Sequence, residues 1–87
     1  PPPSREEVAR YVPSEEGVND FLDLYWGYAP NKAFAISPDG SYGLSGELMS
    51  STDHAAATAL RYCERGRAQM QLISPCRVVN INGKWVP

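Results

Sequence analysis

The sequence is poor in the side chains that most often carry out catalysis or bind metals, with one histidine and two cysteines among 87 residues. A structural zinc centre takes four Cys or His ligands, whereas His54, Cys63 and Cys76 are the only such residues and have no close ligand spacing. On a helix, His54 and Cys63 would lie about 13 Å apart, which is too far for proton transfer. We therefore expect no metal, no cofactor and no cysteine-dependent hydrolase.

Long hydrophobic runs and an excess of basic residues are also missing. The apolar stretches are a few residues long, whereas a membrane-spanning helix needs about 20. The formal net charge of −2 predicts no basic face for a phosphate backbone. We therefore expect neither a transmembrane segment nor binding to nucleic acid. Apolar residues make up 43% of the chain, which is typical of a globular protein.

The chain is short enough for a covalent cross-link to matter. A domain of this size buries only roughly 60% of the surface that its unfolded chain exposes. A bond between Cys63 and Cys76 would stabilise the fold by about 3 kcal/mol in the chain-entropy model. We predict this disulfide, and two buried free thiols are the alternative. Because disulfides persist in oxidising compartments, we expect a periplasmic or secreted protein.

Acidic residues are concentrated in the first third of the chain. Residues 1–30 contain two arginines and six carboxylates, whereas the remainder contains six basic and four acidic residues. The two parts could attract each other within one molecule, or the acidic part could reach a separate partner.

Two short helices are predicted in residues 1–31, which we call the arm. Ser4 and Glu7 have the spacing of a capping box at the start of a helix over residues 6–11. Ser14 is a suitable N-cap for a second helix with an amphipathic pattern. The apolar stripe of this helix, which needs a surface to cover it, consists of Val18, Phe21, Leu22 and Tyr25.

Two hairpins are predicted from turn residues between alternating apolar strands. Ser37-Pro38-Asp39-Gly40 is typical of a turn and lies within a hairpin over residues 32–46. Asn82-Gly83 is the favoured pair for a tight turn, here between strands at 76–81 and 84–86.

One longer helix is predicted between the hairpins. The Ala-rich run has high helix propensity, and we place the helix over residues 52–65 with Gly66 just after its end. Ala33 and Ala35 share one face of the first strand, where the helix could pack closely. The expected fold is α+β, a two-layer ββαββ antiparallel sheet with one covering helix, preceded by the helical arm. The expected domains are the acidic helical arm, 1–31, and a disulfide-stapled unit, 32–87.

The motif Tyr25-Trp26-Gly27-Tyr28 places three aromatic side chains around a glycine. Such a cluster can cage a cation, stack on a sugar or fill a pocket on a partner. It can equally close the rim of a small core, where Trp85 would be the aromatic that it meets. The residues that we predict to contact a partner are Val18, Phe21, Leu22, Tyr25, Trp26 and Tyr28.

Two other motifs have plainer explanations than chemistry. His54 follows Asp53 in the first turn of the predicted helix, where an exposed histidine is expected because neighbouring residues point to different faces. The segment 41–46 is rich in glycine and serine but lacks the lysine and the glycine spacing of a phosphate-binding loop. We interpret it as a strand that a helix crosses closely.

The order of motifs from residue 32 onward resembles that of a small exported bacterial domain of unassigned function. The matching segments are Ala33–Gly40, Tyr42-Gly43, the Ala-rich helix ending at Cys63, Cys76–Val79 and Asn82–Val86. The resemblance covers about residues 32–86 and implies a disulfide-stapled ββαββ unit used as a module, with no catalytic residues to carry over. The arm departs from it.

These observations favour a protein that binds and does not react. We expect a non-catalytic accessory or protein-binding module of an exported assembly, contacting a protein partner through the arm and the aromatic cluster. The alternatives are a small-ligand or carbohydrate-binding domain and a small inhibitor of an enzyme. An enzyme would need an activity that depends on Asp53, His54 or Cys63.

Overall fold

The computed structural model describes all residues from 1 to 87. Its helices are α1 (Arg5–Ala9), α2 (Glu15–Asp23), a 3₁₀ turn (Tyr25–Gly27) and α3 (Thr52–Gln69). Its strands are β1 (Ala33–Ile36), β2 (Tyr42–Ser45), β3 (Arg77–Ile81) and β4 (Lys84–Trp85). None of the helices has both the length and the apolar character that crossing a bilayer requires.

The strands form one four-stranded antiparallel sheet in the order β2-β1-β3-β4. Strand β1 is central, because Phe34 lies opposite Leu44 on one side and opposite Asn80 on the other. The second hairpin turns at Asn82 and Gly83, whose φ angles of 52° and 86° are those of a tight turn with two left-handed residues. The predicted α+β fold with two hairpins and one long covering helix is confirmed.

Helix α3 packs on one face of the sheet at very short range. Ala33 and Ala35 of the sheet meet Ala55 and Ala59 of the helix in a core of small side chains. A Cβ atom on Gly43 would lie 2.3 Å from the carbonyl oxygen of Ala59, so only glycine fits there. The prediction of a strand crossed closely by the helix is therefore confirmed.

The arm packs on the opposite face of the sheet, which makes it a third layer. Its apolar residues join sheet residues in the larger core, formed by Val8, Val12, Val18, Phe21, Tyr25, Phe34, Ile36 and Val79. Ser4 and Ser14 cap the two arm helices through their side-chain oxygens, as predicted. The surface that the amphipathic stripe needs is thus provided by the chain's own sheet.

Helix α3 continues four residues beyond the predicted end at residue 65, which corrects the role given to Gly66. A side chain at Gly66 would lie 2.9 Å from the hydroxyl oxygen of Ser41, so this glycine permits close packing and does not end the helix. Gln71, two residues after the last residue of α3, has a φ of 57°. The amide of Leu72 donates to the carbonyl of Arg67 at 2.9 Å, as in a Schellman motif.

Strand β3 does not alternate regularly, although its sequence pattern suggests that it would. The register with β1 shifts because Phe34 pairs with Asn80, while Ala35 pairs with Val78. Val79 is the extra residue, and both it and Asn80 face the arm. This β-bulge brings a polar side chain into the larger core.

Candidate functional site

The predicted disulfide between Cys63 and Cys76 is present. The sulfur atoms are 2.09 Å apart and the two Cα atoms 6.2 Å apart. The bond joins a fully buried position of α3 to the residue before β3, and it leaves no free cysteine in the chain. The segment between α3 and β3, residues 70–76, is therefore attached at its end, and we call it the connector.

Two side chains of α3 hold the connector from the helix side. Glu64 accepts a hydrogen bond from the amide of Cys76 at 2.8 Å and another from Nε of Arg67 at 2.6 Å. Arg67 in turn donates through Nη1 to the carbonyl oxygens of Leu72 and Ile73, at 3.0 and 3.2 Å. The hydrogen bond from the amide of Cys76 lowers the pKa of Glu64, and the hydrogen bond from Arg67 lowers it further. This carboxylate is therefore charged at neutral pH.

The first hairpin turn holds the connector from the other side. The hydroxyl of Ser37 donates to the carbonyl of Ser74 at 2.7 Å, and the amide of Ser74 donates to Asp39 Oδ2 at 2.9 Å. The same backbone amide lowers the pKa of Asp39. Although its backbone is held on both sides, the connector leaves Ile73 88% exposed and Met70 55% exposed. Two apolar side chains are thus displayed on a fixed backbone.

An open groove of about 430 Å³ lies beside the connector. It is bounded by the start of α2, the turn between β1 and β2, and the end of α3. The residues that line it are Ser14, Glu15, Glu16, Asp39, Gly40, Ser41, Tyr42, Gly66, Met70 and Leu72. Three of these are carboxylates and none is basic, so the groove is acidic beside the apolar side chains of Met70 and Leu72.

Most hydroxyl groups of this groove are already used within the chain. Tyr42 donates to Asp20 Oδ2 at 2.7 Å, and Ser41 donates to the carbonyl of Cys63 at 2.7 Å. Burial, together with the nearby Asp20 carboxylate, raises the pKa of Tyr42. In contrast, the carboxylates of Glu15 and Glu16 have no partner, since the one salt bridge of the chain joins Glu64 and Arg67.

Half of the residues predicted to contact a partner lie inside the fold. Val18 is 3% exposed, and Phe21 and Tyr25 are completely buried against the sheet. The arm uses these three side chains to cover β1 and β3 within the chain, and contact of the six residues with a partner stays a prediction. The remaining three pack partly buried at the rim of the same core, and they are Leu22, Trp26 and Tyr28.

The cation that the aromatic cluster surrounds belongs to the chain itself. Lys32 Nζ lies 4.9 Å from the ring centre of Tyr25 and 5.2 Å from that of Trp26. It donates to the carbonyl oxygens of the same two residues at 3.1 and 2.9 Å, and burial lowers its pKa. Trp85 stacks on Phe21 at 5.0 Å and on Tyr11 at 4.0 Å. Tyr25 and Trp26 therefore enclose Lys32, while Trp85 covers Phe21 of the core.

The histidine lies where the sequence predicts, exposed in the first turn of α3. Its Nδ1 atom is 3.1 Å from the hydroxyl of Ser50, and its amide donates to the hydroxyl of Ser51. The groove lies at the other end of α3, where Gly66 and Met70 line it. The chain therefore brings His54 together with neither the disulfide nor the groove.

The sequence did not predict the groove or the connector, because each of their residues has a role in local secondary structure that explains its presence. Glu15 and Glu16 follow an N-cap, and Asp39 belongs to a turn, so each is accounted for without a site. Comparison with protein-family models, with curated proteins and with solved structures finds no match to this chain. The resemblance of residues 32–86 to an exported bacterial domain therefore stays a prediction.

Proposed function

We propose that this chain is a non-catalytic protein-binding module, and that the connector is its main contact surface. The observation that carries the proposal is the combination of a fixed backbone with the exposed side chains of Ile73 and Met70. A disulfide holds this backbone together with hydrogen bonds that Glu64 and Asp39 accept from its amides and that Arg67 donates to its carbonyl groups. An exposed apolar side chain does not stabilise the isolated fold, so its display on an ordered backbone supports a role in recognition.

A pre-ordered surface favours binding for a physical reason. When a loop is flexible, association must order its backbone, and this cost is subtracted from the binding free energy. The connector has been ordered by folding, so contact with Ile73 gains burial of apolar surface with little further ordering. Apolar anchors that fill a pocket on a partner are the usual centres of such interfaces.

The chemistry of the chain supports binding over catalysis. Both cysteines are consumed in the disulfide, and the only histidine is exposed and distant in the fold from the groove. A sugar or cation ligand for the aromatic cluster is the weaker candidate, because Lys32 already occupies the space between Tyr25 and Trp26.

We place this module in an exported assembly, in the periplasm or outside the cell. The Cys63–Cys76 bond supports this proposal, because cytosolic reductants keep most protein thiols reduced. The predicted resemblance of residues 32–86 to an exported domain points the same way. The partner in this proposal is a protein of the same compartment.

Site-specific photocrosslinking tests the proposed surface. A benzoylphenylalanine at Ile73 is expected to capture one protein from an extract of the source cells, in proportion to the amount of chain added. Unlabelled chain should compete for this product, whereas the Ile73→Asp chain should not. The matched control carries the same photoprobe at Ala57, an exposed position of α3 away from the connector.

The purified partner must then bind the intact chain in solution and bind the Ile73→Asp chain at least tenfold more weakly. Identical products from positions 73 and 57, or equal competition by the Ile73→Asp chain, would show that the connector is not a binding surface.

A further inference from the structure

The groove beside the connector combines features that suit a positively charged side chain. Tyr42, Met70 and Leu72 give it apolar surface, and Glu15 and Glu16 also line it, with no salt bridge to a basic residue of the chain. Its volume of about 430 Å³ exceeds the space that a single side chain fills. A short segment of a peptide would therefore fit.

We propose that this groove binds a segment of the protein partner in which an arginine or lysine is adjacent to an apolar residue. The inference rests on the proposed function of the connector and adds the chemistry of the partner. The basic side chain lies over Met70 and Leu72 with its charge towards Glu15 and Glu16, and the apolar neighbour contacts Ile73.

Charge complementarity is the argument for a basic occupant. The residues that line the groove include Glu15, Glu16 and Asp39 but no lysine or arginine. The groove also contains the end of α3, where the helix dipole favours positive charge. The chain places no cation of its own here, whereas it does place Lys32 between its aromatic rings.

Stabilisation of α2 accounts for only part of this arrangement. Acidic residues in the first turn of a helix interact favourably with its dipole, and this explains the sign of Glu15 and Glu16. It does not explain why these carboxylates line the same groove as the apolar side chains of Met70 and Leu72. Long basic side chains match such a boundary, because their methylene stems pack on apolar surface while the charge stays near solvent.

An NMR titration of the full-length, disulfide-bonded chain tests the inference. The probe is the peptide acetyl-Ala-Arg-Leu-Ala-amide, and its matched control replaces arginine by citrulline, which has nearly the same shape without the charge. The arginine peptide is expected to shift the amide signals of Glu16, Gly40 and Leu72 and to bind at least fivefold more tightly than the control. Its affinity should fall as the salt concentration rises, because exposed charges are screened.

A double substitution tests whether Glu15 and Glu16 are the carboxylates that bind the basic side chain. The Glu15→Gln/Glu16→Gln chain should bind the arginine peptide about fivefold more weakly, in line with exposed charge pairs. The control is Glu6→Gln, which also removes a carboxylate from a first helical turn but lies in α1. Equal binding of the arginine and citrulline peptides, equal weakening by Glu6→Gln, or signal shifts outside the groove would each overturn the inference. Photocrosslinking from position 73 judges the connector separately, so a failure of the peptide alone would leave the binding module intact.

Discussion

Tyr25 donates its phenolic hydrogen to the Oδ1 atom of Asn80 at 2.8 Å, across 55 residues of chain. Both side chains are completely buried. This hydrogen bond joins the arm to β3 inside the larger core, and it is the only one that the Asn80 side chain makes, because its Nδ2 atom has no partner.

Replacing Tyr25 by phenylalanine should destabilise the fold by about 1–3 kcal/mol. The change leaves the whole Asn80 amide buried without a hydrogen bond, and an unpaired buried polar group costs about that much. Urea denaturation gives the free energy of unfolding. The double variant Tyr25→Phe/Asn80→Leu should be more stable than the single variant, since it removes the orphaned amide. If the double variant were the less stable of the two, the hydrogen bond would not be the cause.

Removing the disulfide should lower the free energy of unfolding by about 3 kcal/mol. The Cys63→Ala/Cys76→Ala chain loses the constraint on its unfolded state and the attachment of the connector to α3. Guanidinium denaturation compares this chain with the oxidised parent, and the parent in reductant serves as the control. The native, unreduced chain should show no titratable thiol. Equal stability of the variant and the oxidised parent would contradict the expectation.

Replacing Gln71 by glycine should stabilise the chain by about 1 kcal/mol. Gln71 adopts a φ of 57° at the end of α3, and a residue with a Cβ atom is strained in this conformation. Glycine removes that strain and keeps the backbone hydrogen bonds of the motif. The matched control is Gln69→Gly in the last helical position, which should destabilise the chain because glycine disfavours helix. If the midpoint temperatures of thermal unfolding of both variants shift in the same direction, the strain argument is refuted.

Stability should fall as the pH rises above about 10.5. Burial raises the pKa of Tyr25 above its ordinary value of 10.0, so the folded chain retains a proton that the unfolded chain loses. The contribution of Tyr25 is therefore complete below pH 10 and declines above it, by up to about 1.4 kcal/mol per pH unit. The partly exposed Tyr42 adds a smaller effect of the same sign.

Lys32 changes the stability of the fold in the opposite direction and over a lower pH range. Its pKa is lowered in the folded chain, so its effect on stability rises with pH and ends at its ordinary value of 10.5. Denaturation curves between pH 9 and 12 test both signs. The Tyr42→Phe chain should show a shallower decline above pH 10.5 than the parent, and an unchanged slope would show that Tyr42 does not contribute.

Features that depend on near neighbours in the chain could be predicted from the sequence. Ser4 and Ser14 cap helices because their hydroxyl groups reach amides three residues ahead. Asn82 and Gly83 form a tight turn because both tolerate positive φ. The Ala-rich run forms α3 because alanine has high helix propensity. The disulfide could be predicted because a small core needs a cross-link.

Only the tertiary structure decided where the elements meet. Gly66 lies inside α3, where Ser41 packs closely against it, and the bulge at Val79 turns Asn80 towards Tyr25. The same long-range packing buries the apolar stripe of the arm on the chain's own sheet, and a hydrophobic pattern alone does not specify which surface covers it. The groove also depends on distant segments, because Glu16, Asp39 and Met70 become neighbours only when α2, the first hairpin and α3 pack together. The sequence by itself determined the local elements and their cross-link, while packing between distant segments determined which side chains remain free to bind.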